Sequence, residues 1–185
     1  MQLAVEPSRY SFDDLQRHIA HCAIAPTTLR KMGANRQVIC SWFACEADLS
    51  ILNRKSVSDA LDEWSKAIMD REGGPWGAVR KSINLFLRDC ALNYEMRTRY
   101  ELANIEPFLE IPLDSRTMTA IRESAEAKDN MPRFSWVKDL ESGLCDKYQK
   151  IAKLHAESLG MLRVELDIKW WSRPSATRPL PAPAN

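Results

Sequence analysis

The chain has 185 residues, of which 45% are apolar and 28% are charged, and its formal net charge is +1. This composition is that of an ordinary soluble globular protein, most simply one domain with a substantial core or two closely packed helical lobes. The near-zero net charge excludes a general electrostatic attraction to nucleic acid, so any such contact requires a local basic patch.

Apolar residues recur with helical spacing along most of the chain. Residues 1–10 are predicted to form an arm, Ser11 then caps a helix that runs towards Ala25, and a short helix after Pro26 ends near Gly33. The same periodicity and capping signals predict six further apolar or helical elements, in chain order over 36–52, 56–73, 79–102, 114–121, 135–155 and 162–171. The tail 174–185 holds four of the ten prolines and is predicted to be disordered.

Few segments alternate with the period of a β-strand, and 164–166 is too short to build a sheet. The predicted fold class is therefore all-α, with two packed helical lobes and a cleft between them. Three parts are expected: an N-terminal helical extension over 1–35, a main domain over 36–173, and the proline- and alanine-rich tail over 174–185.

The chain offers no clear signal for export, membrane insertion or metal binding. Its apolar runs are too short to span a bilayer, and its start lacks the charged-then-apolar order of a signal peptide, so we expect a cytoplasmic, nucleoid-associated protein. The five cysteines include no CxxC pair and are expected to be reduced, while His18 and His21 have no carboxylate partner at convincing spacing. We predict no metal site and no cofactor.

A glycine-rich turn, GGPWG at 73–77, precedes the helix that carries Arg80 and Lys81. Unshielded backbone N–H groups and the positive end of a helix together favour an anion, and a phosphodiester is a natural occupant. Gly74, Gly77 and Arg80 are therefore predicted to contact DNA. The alternative is an ordinary connection between two helices.

Asp114 follows a proline-stiffened link, and its commoner role would be that of a helix N-cap. A lysine that faces a carboxylate can, however, attack a glycosidic carbon. The carboxylate stabilises the positive charge that develops on the sugar, and the amine attacks C1′ to give a Schiff base. Lysine must be partly neutral for this reaction, so burial next to Arg80 is expected to lower the pKa of Lys81.

The order of glycine turn, helical Lys81 and the stretch IPLD at 111–114 resembles the helix–hairpin–helix DNA glycosylases, most closely their archaeal 8-oxoguanine DNA glycosylase branch. The stretch 166–171, with Asp167 and Trp171 on one helical face, is similar to that branch's last helix. The resemblance covers roughly 49–171. It implies that Lys81 is the Schiff-base nucleophile, that Asp114 is the essential carboxylate, and that Asp167 and Trp171 line the pocket for a flipped base.

Two features depart from that family: the hairpin lacks the usual LPGVG, and Leu85, followed by Phe86, stands where a stacking aromatic is expected. A flipped base would rest on aromatic or apolar walls. The candidate walls are Leu85, Phe86, Trp42, Phe43 and Trp171, with core packing as the alternative for Trp42 and Phe43. Asn53 or Gln37 would read the base, and Arg116 and Arg133 would hold phosphates.

The resulting prediction is a monomeric DNA glycosylase and AP lyase that excises an oxidised purine, 8-oxoguanine, from double-stranded DNA. Two alternatives stay open: a glycosylase for another modified base, and a non-catalytic helical module for DNA binding or protein interaction. Burial of Lys81 opposite Asp114 would favour an enzyme, because reacting groups must be preorganised at near-contact distance.

Overall fold

The protein is described here from a computed structural model, which covers residues 10–25, 28–29, 32–124, 131–132 and 136–172. Within these residues it has eight α-helices and no β-strand, which confirms the all-α prediction. The helices are α1 (Phe12–Ala23), α2 (Arg36–Cys45), α3 (Val57–Glu72), α4 (Trp76–Leu92), α5 (Tyr94–Arg99), α6 (Ser115–Glu123), α7 (Ser142–Ser158) and α8 (Glu165–Trp171). None of the helices in this part of the chain has the length and apolar character needed to cross a membrane.

Polar side chains fix several helix starts where the sequence predicted them. Ser11 Oγ accepts the Asp14 N–H at 3.1 Å at the start of α1, and Ser56 Oγ accepts the Asp59 N–H at 3.1 Å at the start of α3. Gly73 ends α3 with a φ of 69°, in the left-handed region that glycine enters at little cost.

The helix predicted over 36–52 is interrupted. It ends at Cys45, and Asp48 starts a separate 3-10 helix, Leu49–Asn53, by accepting the Ser50 N–H at 3.0 Å. Apolar periodicity missed the break because Leu49 and Leu52 keep their side chains in the same core.

The helix predicted over 79–102 is also shorter at its far end. It begins at Trp76 and ends at Leu92, because the Asn93 side chain accepts the N–H groups of the next turn and starts α5. Residues 1–9 of the arm, part of the short helix predicted after Pro26, Arg133 and the proline-rich tail lie outside the described residues.

The buried apolar side chains form two clusters. The first is built by α1 to α5 and the 3-10 helices around them, with the rings of Phe43 and Phe86 stacked 4.5 Å apart near its centre. The second is built by 111–113, α6, α7 and α8. Because α1 contributes Ile19 and Ala20 to the first cluster, the segment predicted as an N-terminal extension packs into the same core as α2 and α4.

Candidate functional site

Lys81 lies on α4 and is 9% exposed. Among the described residues it has no hydrogen-bond partner, and no carboxylate lies within the 4.0 Å of an ion pair. Its side chain lines an open pocket of about 670 Å³, which we call the Lys81 pocket and which is also lined by Asp114, Arg116, Trp136 and Trp171. A largely buried lysine without a direct partner costs stability, and in the described part of the chain its amine can meet solvent only through this pocket.

Burial lowers the pKa of the Lys81 amine below its ordinary value of 10.5. The negative charges of Asp114 and Asp167 oppose that change, and the positive charge of Arg88 adds to it. A lowered pKa raises the fraction of neutral amine, which is the form that can act as a nucleophile.

Asp114 reaches the same pocket from the N-terminus of α6. Its Oδ1 accepts the backbone N–H groups of Arg116 and Thr117, each at 2.9 Å, and the Thr117 hydroxyl bonds the Asp114 N–H at 2.8 Å. This capping box fixes the carboxylate rigidly. Its Oδ2 makes no hydrogen bond to the described residues, so Asp114 is both a cap and a carboxylate of the pocket.

Asp167 lies behind the pocket rather than on its surface. It is 1% exposed, its Oδ2 accepts from the Arg88 guanidinium, and its Oδ1 is buried without a hydrogen-bond partner among the described residues. Burial raises the pKa of Asp167 even though the charge of Arg88 opposes the change. Asp167 was predicted to line the base pocket, but the buried side chain does not line the Lys81 pocket.

The structure corrects the prediction that Arg80 contacts DNA, because Arg80 is only 3% exposed and its guanidinium is paired within the protein. Its guanidinium donates to both oxygens of Glu110 at 2.9 and 2.8 Å and to Asp62 at 2.9 Å. The charge of Arg80 is therefore paired with carboxylates of the protein itself. Arg88, not Arg80, is the cation that acts on Lys81, because successive helical residues point about 100° apart whereas residues seven apart share a face.

The glycine turn is also corrected as a DNA contact. A Cβ on Gly77 would lie 2.0 Å from the Val137 carbonyl oxygen, so Gly77 allows α4 to pack directly on that backbone. A Cβ on Gly74 would lie 2.8 Å from the Glu72 carboxylate, which takes up the space beside the turn. A phosphate would meet a carboxylate there, so neither Gly74 nor Gly77 offers an open anion site.

Of the side chains predicted to form the walls of the base pocket, some lie in the hydrophobic core and others line the Lys81 pocket. Phe86 is 0% and Trp42 5% exposed, and both pack with Phe43 and Trp64 in the first cluster, so the alternative of core packing holds for them. Leu85 and Trp171 line the Lys81 pocket, and Trp171 is 53% exposed.

Arg116 lies at the rim of the Lys81 pocket. Its guanidinium stacks on the Trp171 ring at 4.4 Å from the centroid and donates to the Trp171 carbonyl oxygen at 3.3 Å. Asn53 and Gln37 do not line the pocket: both are exposed, and the Asn53 amide donates to the Tyr100 carbonyl oxygen at 2.6 Å.

Several residues that line the pocket were not predicted, and Arg88 and Trp136 are the two that matter most for its chemistry. Arg88 was given no role in the site, although its spacing of seven from Lys81 places both residues on one face of the helix. Trp136 is 55% exposed and lines the pocket beside Val137. No local pattern could have found it, because tertiary packing on Gly77 brings this loop to α4.

The described residues contain no group of three or more His, Cys, Asp or Glu side chains placed to hold a metal ion. Comparison of the chain with protein-family models, curated proteins and solved structures gave no significant match to any of them.

Proposed function

We propose that the protein is a DNA glycosylase with AP lyase activity that excises an oxidised purine, with 8-oxoguanine as the expected base. The observation that carries the proposal is Lys81, a buried amine that has no direct partner among the described residues and faces the Asp114 carboxylate across an open pocket. Its lowered pKa suits a nucleophile rather than a surface cation.

The chemistry follows from those two groups. The lone pair of Lys81 Nζ attacks C1′ of the flipped nucleotide while the glycosidic bond breaks and the bond electrons leave with the base. Asp114, held through Oδ1, presents Oδ2 to the positive charge that develops on the sugar. The proton that the attacking amine loses neutralises the departing base. The nitrogen lone pair then breaks the C1′–O4′ bond, O4′ takes up a proton, and the ring-opened product is a Schiff base. Loss of the C2′ proton and the 3′ phosphate by β-elimination would then nick the strand.

The size and walls of the pocket support a flipped base as the ligand. A volume of about 670 Å³ lies within the range of roughly 300–1,000 Å³ common for small-molecule sites. Trp136 and Trp171 are both more than half exposed although they line the pocket. Exposed indole rings of this kind can stack on a base removed from the duplex.

The two-lobe architecture is part of the same proposal. Lys81 and Leu85 project from a helix of the first hydrophobic cluster, whereas Asp114 and Trp171 belong to elements of the second, so the pocket would be a cleft between two lobes. In this scheme α3 and α4 form the hairpin element. The phosphate contact moves from the glycine turn to Arg116, which stands at the rim of the pocket.

The test is release of free base from otherwise identical duplexes that contain 8-oxoguanine, uracil or no modification. We expect release from the 8-oxoguanine duplex by the wild type, and a loss of at least about a hundredfold in Lys81→Gln because the nucleophile is gone. Lys66→Gln, on the exposed face of α3, is the matched control and should retain wild-type activity. Tight duplex binding without base release from any substrate would contradict the proposal and favour a non-catalytic DNA-binding module.

A further inference from the structure

The Arg88–Asp167 ion pair lies next to Lys81 on its buried side. Arg88 is two turns after Lys81 on α4, lines the Lys81 pocket, and also contacts Asp89 at 2.7 Å. Asp167 comes from α8 and is almost completely buried. The pair therefore joins the helix of the lysine to the last helix of the second cluster.

Two polar groups in this small region lack a direct partner among the described residues. Asp167 Oδ1 is buried and accepts no hydrogen bond from the described residues, and the Lys81 amine has no direct partner among them. An unsatisfied buried carboxylate oxygen is costly, and pairing it with the lysine would satisfy both groups. The two nevertheless stay farther apart than the 4.0 Å of an ion pair, while Arg88 engages the other oxygen of the same carboxylate.

We propose that Arg88 and Asp167 are positioning residues for Lys81. Arg88 holds the Asp167 carboxylate by Oδ2 and prevents an Asp167–Lys81 ion pair, so that the amine stays free to face the pocket and Asp114. This inference rests on the proposed function and deepens it: the lysine is kept reactive by a competing cation, and Asp167 is not primarily a base-reading residue.

The charges around the Lys81 amine predict the direction in which each substitution should change it. Asp114 and Arg116 line the pocket from the start of α6 and Arg88 lines it from α4, while Asp167 lies behind the pocket on α8. The other described residues that line the pocket carry no charge: Ala23, Thr28, Met32, Leu85, Ser115, Met118, Trp136, Val137 and Trp171. Removing Arg88 takes a positive charge away and frees Asp167 to pair with the lysine. Removing the charge of Asp167 takes away the anion with which the lysine could pair. The two changes should therefore shift the pKa of the Lys81 amine in opposite directions. If the ion pair served only the stability of the fold, both changes would affect the protein in the same direction.

The experiment measures the rate of borohydride trapping on a duplex with one abasic site as a function of pH, for the wild type, Arg88→Met and Asp167→Asn. Arg88→Met should trap roughly tenfold more slowly at pH 7 and shift its pH midpoint upward, because removal of a nearby cation favours the protonated amine. Asp167→Asn should trap at least as fast as the wild type and shift its midpoint downward. Arg88→Lys, which keeps the charge, should recover most of the lost rate.

Arg97→Met and Glu106→Gln are matched controls, because they break an arginine–carboxylate pair that does not line the Lys81 pocket. Neither should move the midpoint. Shifts of both test variants in the same direction, or no shift in either, would overturn the inference. If Arg88→Met does not fold, Asp167→Asn carries the test, with Arg88→Lys expected to stay near the wild-type midpoint. An unshifted Asp167→Asn midpoint then overturns the inference alone.

A second readout separates this inference from the proposed function. Reductive methylation with ¹³C-formaldehyde labels the lysine amines, and the Lys81 signal, identified by its absence in Lys81→Gln, titrates without DNA. Opposite shifts of that titration in the two variants support the electrostatic arrangement even if the wild type forms no adduct, a result that would overturn the proposed function. Shifts in one direction overturn the inference even if wild-type trapping succeeds.

Discussion

Arg80 and Lys81 are adjacent buried cations on one helix, and their surroundings are opposite. Arg80 is enclosed by Glu110, Asp62 and Ser65 and also stacks on Trp76. Lys81 has no direct partner in the described part of the chain and opens on a pocket. Because a buried charge is unfavourable unless it is paired, the charge on the Arg80 face of α4 is satisfied within the protein, whereas the Lys81 face carries the unpaired amine to which the proposed function assigns the role of nucleophile.

The largest expected effect comes from replacing each of the two cations by methionine. Arg80→Met leaves Glu110 buried without its ion pair and should lower the free energy of unfolding by roughly 3–5 kcal/mol. Lys81→Met removes an unpaired charge from a buried position, so it should leave the free energy of unfolding unchanged or raise it. Urea denaturation measures both, and equal losses in the two variants would show that Lys81 is a structural cation like its neighbour.

A second comparison concerns the start of α4. Gly77→Ala places a Cβ against the Val137 carbonyl oxygen and should reduce the free energy of unfolding by about 1–3 kcal/mol through overpacking. Gly143→Ala, in a helix where an added Cβ meets nothing within 4 Å, should stabilise by roughly 0.5–1 kcal/mol. Thermal unfolding of the two variants measures the difference, and a harmless Gly77→Ala would mean that the loop of Trp136 does not pack on α4 in this way.

The pocket side can be examined without disturbing the core. Trp136→Ala should weaken binding of a duplex with a modified base by about 1–3 kcal/mol, the range for loss of one aromatic stacking partner, with little change in thermal stability because the ring is more than half exposed. Tyr94→Ala, another exposed aromatic that does not line the pocket, is the control. Equal affinity of Trp136→Ala and the wild type for the modified duplex would show that Trp136 does not stack on the modified base.

The smallest expected effect is the response of the Arg80 side to acid. Burial alone would raise the pKa of Glu110, but the hydrogen bonds and charge of Arg80 outweigh it and hold that pKa below the ordinary 4.5. A carboxyl with a depressed folded pKa contributes stability above its unfolded pKa and loses it as pH falls through the folded value. The wild type should therefore lose stability below pH 4.5 more steeply than Glu110→Gln in equilibrium unfolding, and parallel curves would contradict this assignment.

Much of the fold could be predicted because its signals are local. Ser11, Ser56, Gly73 and Asp114 mark helix ends through hydrogen bonds or dihedral angles that depend on nearby residues. The two helix interruptions were missed because Asp48 and Asn93 compete with the backbone at a single point, which an average over apolar spacing does not register.

The sequence could predict that Lys81 and Asp114 lie in one pocket, but it could not predict the residues that surround them. Lys81 and Asp114 each stand in a recognisable local setting, but the Arg80–Glu110 pairing spans thirty residues and the approach of Trp136 depends on packing against Gly77. Adjacent sequence positions made Arg80 the expected neighbour of Lys81, whereas helical geometry gives that place to Arg88. Contacts between distant segments decide which cation is paired and which is free, and periodicity carries no information about them.

The decisive measurement is the location of the covalent link in a borohydride-reduced complex with an abasic duplex. After nuclease and trypsin digestion, mass spectrometry should find the sugar remnant on Lys81, in the peptide that runs to Arg88, and Lys81→Gln should give no adduct there. An adduct on the N-terminal amine or on an exposed lysine such as Lys66, with Lys81 unmodified, would show that the buried amine is not the nucleophile.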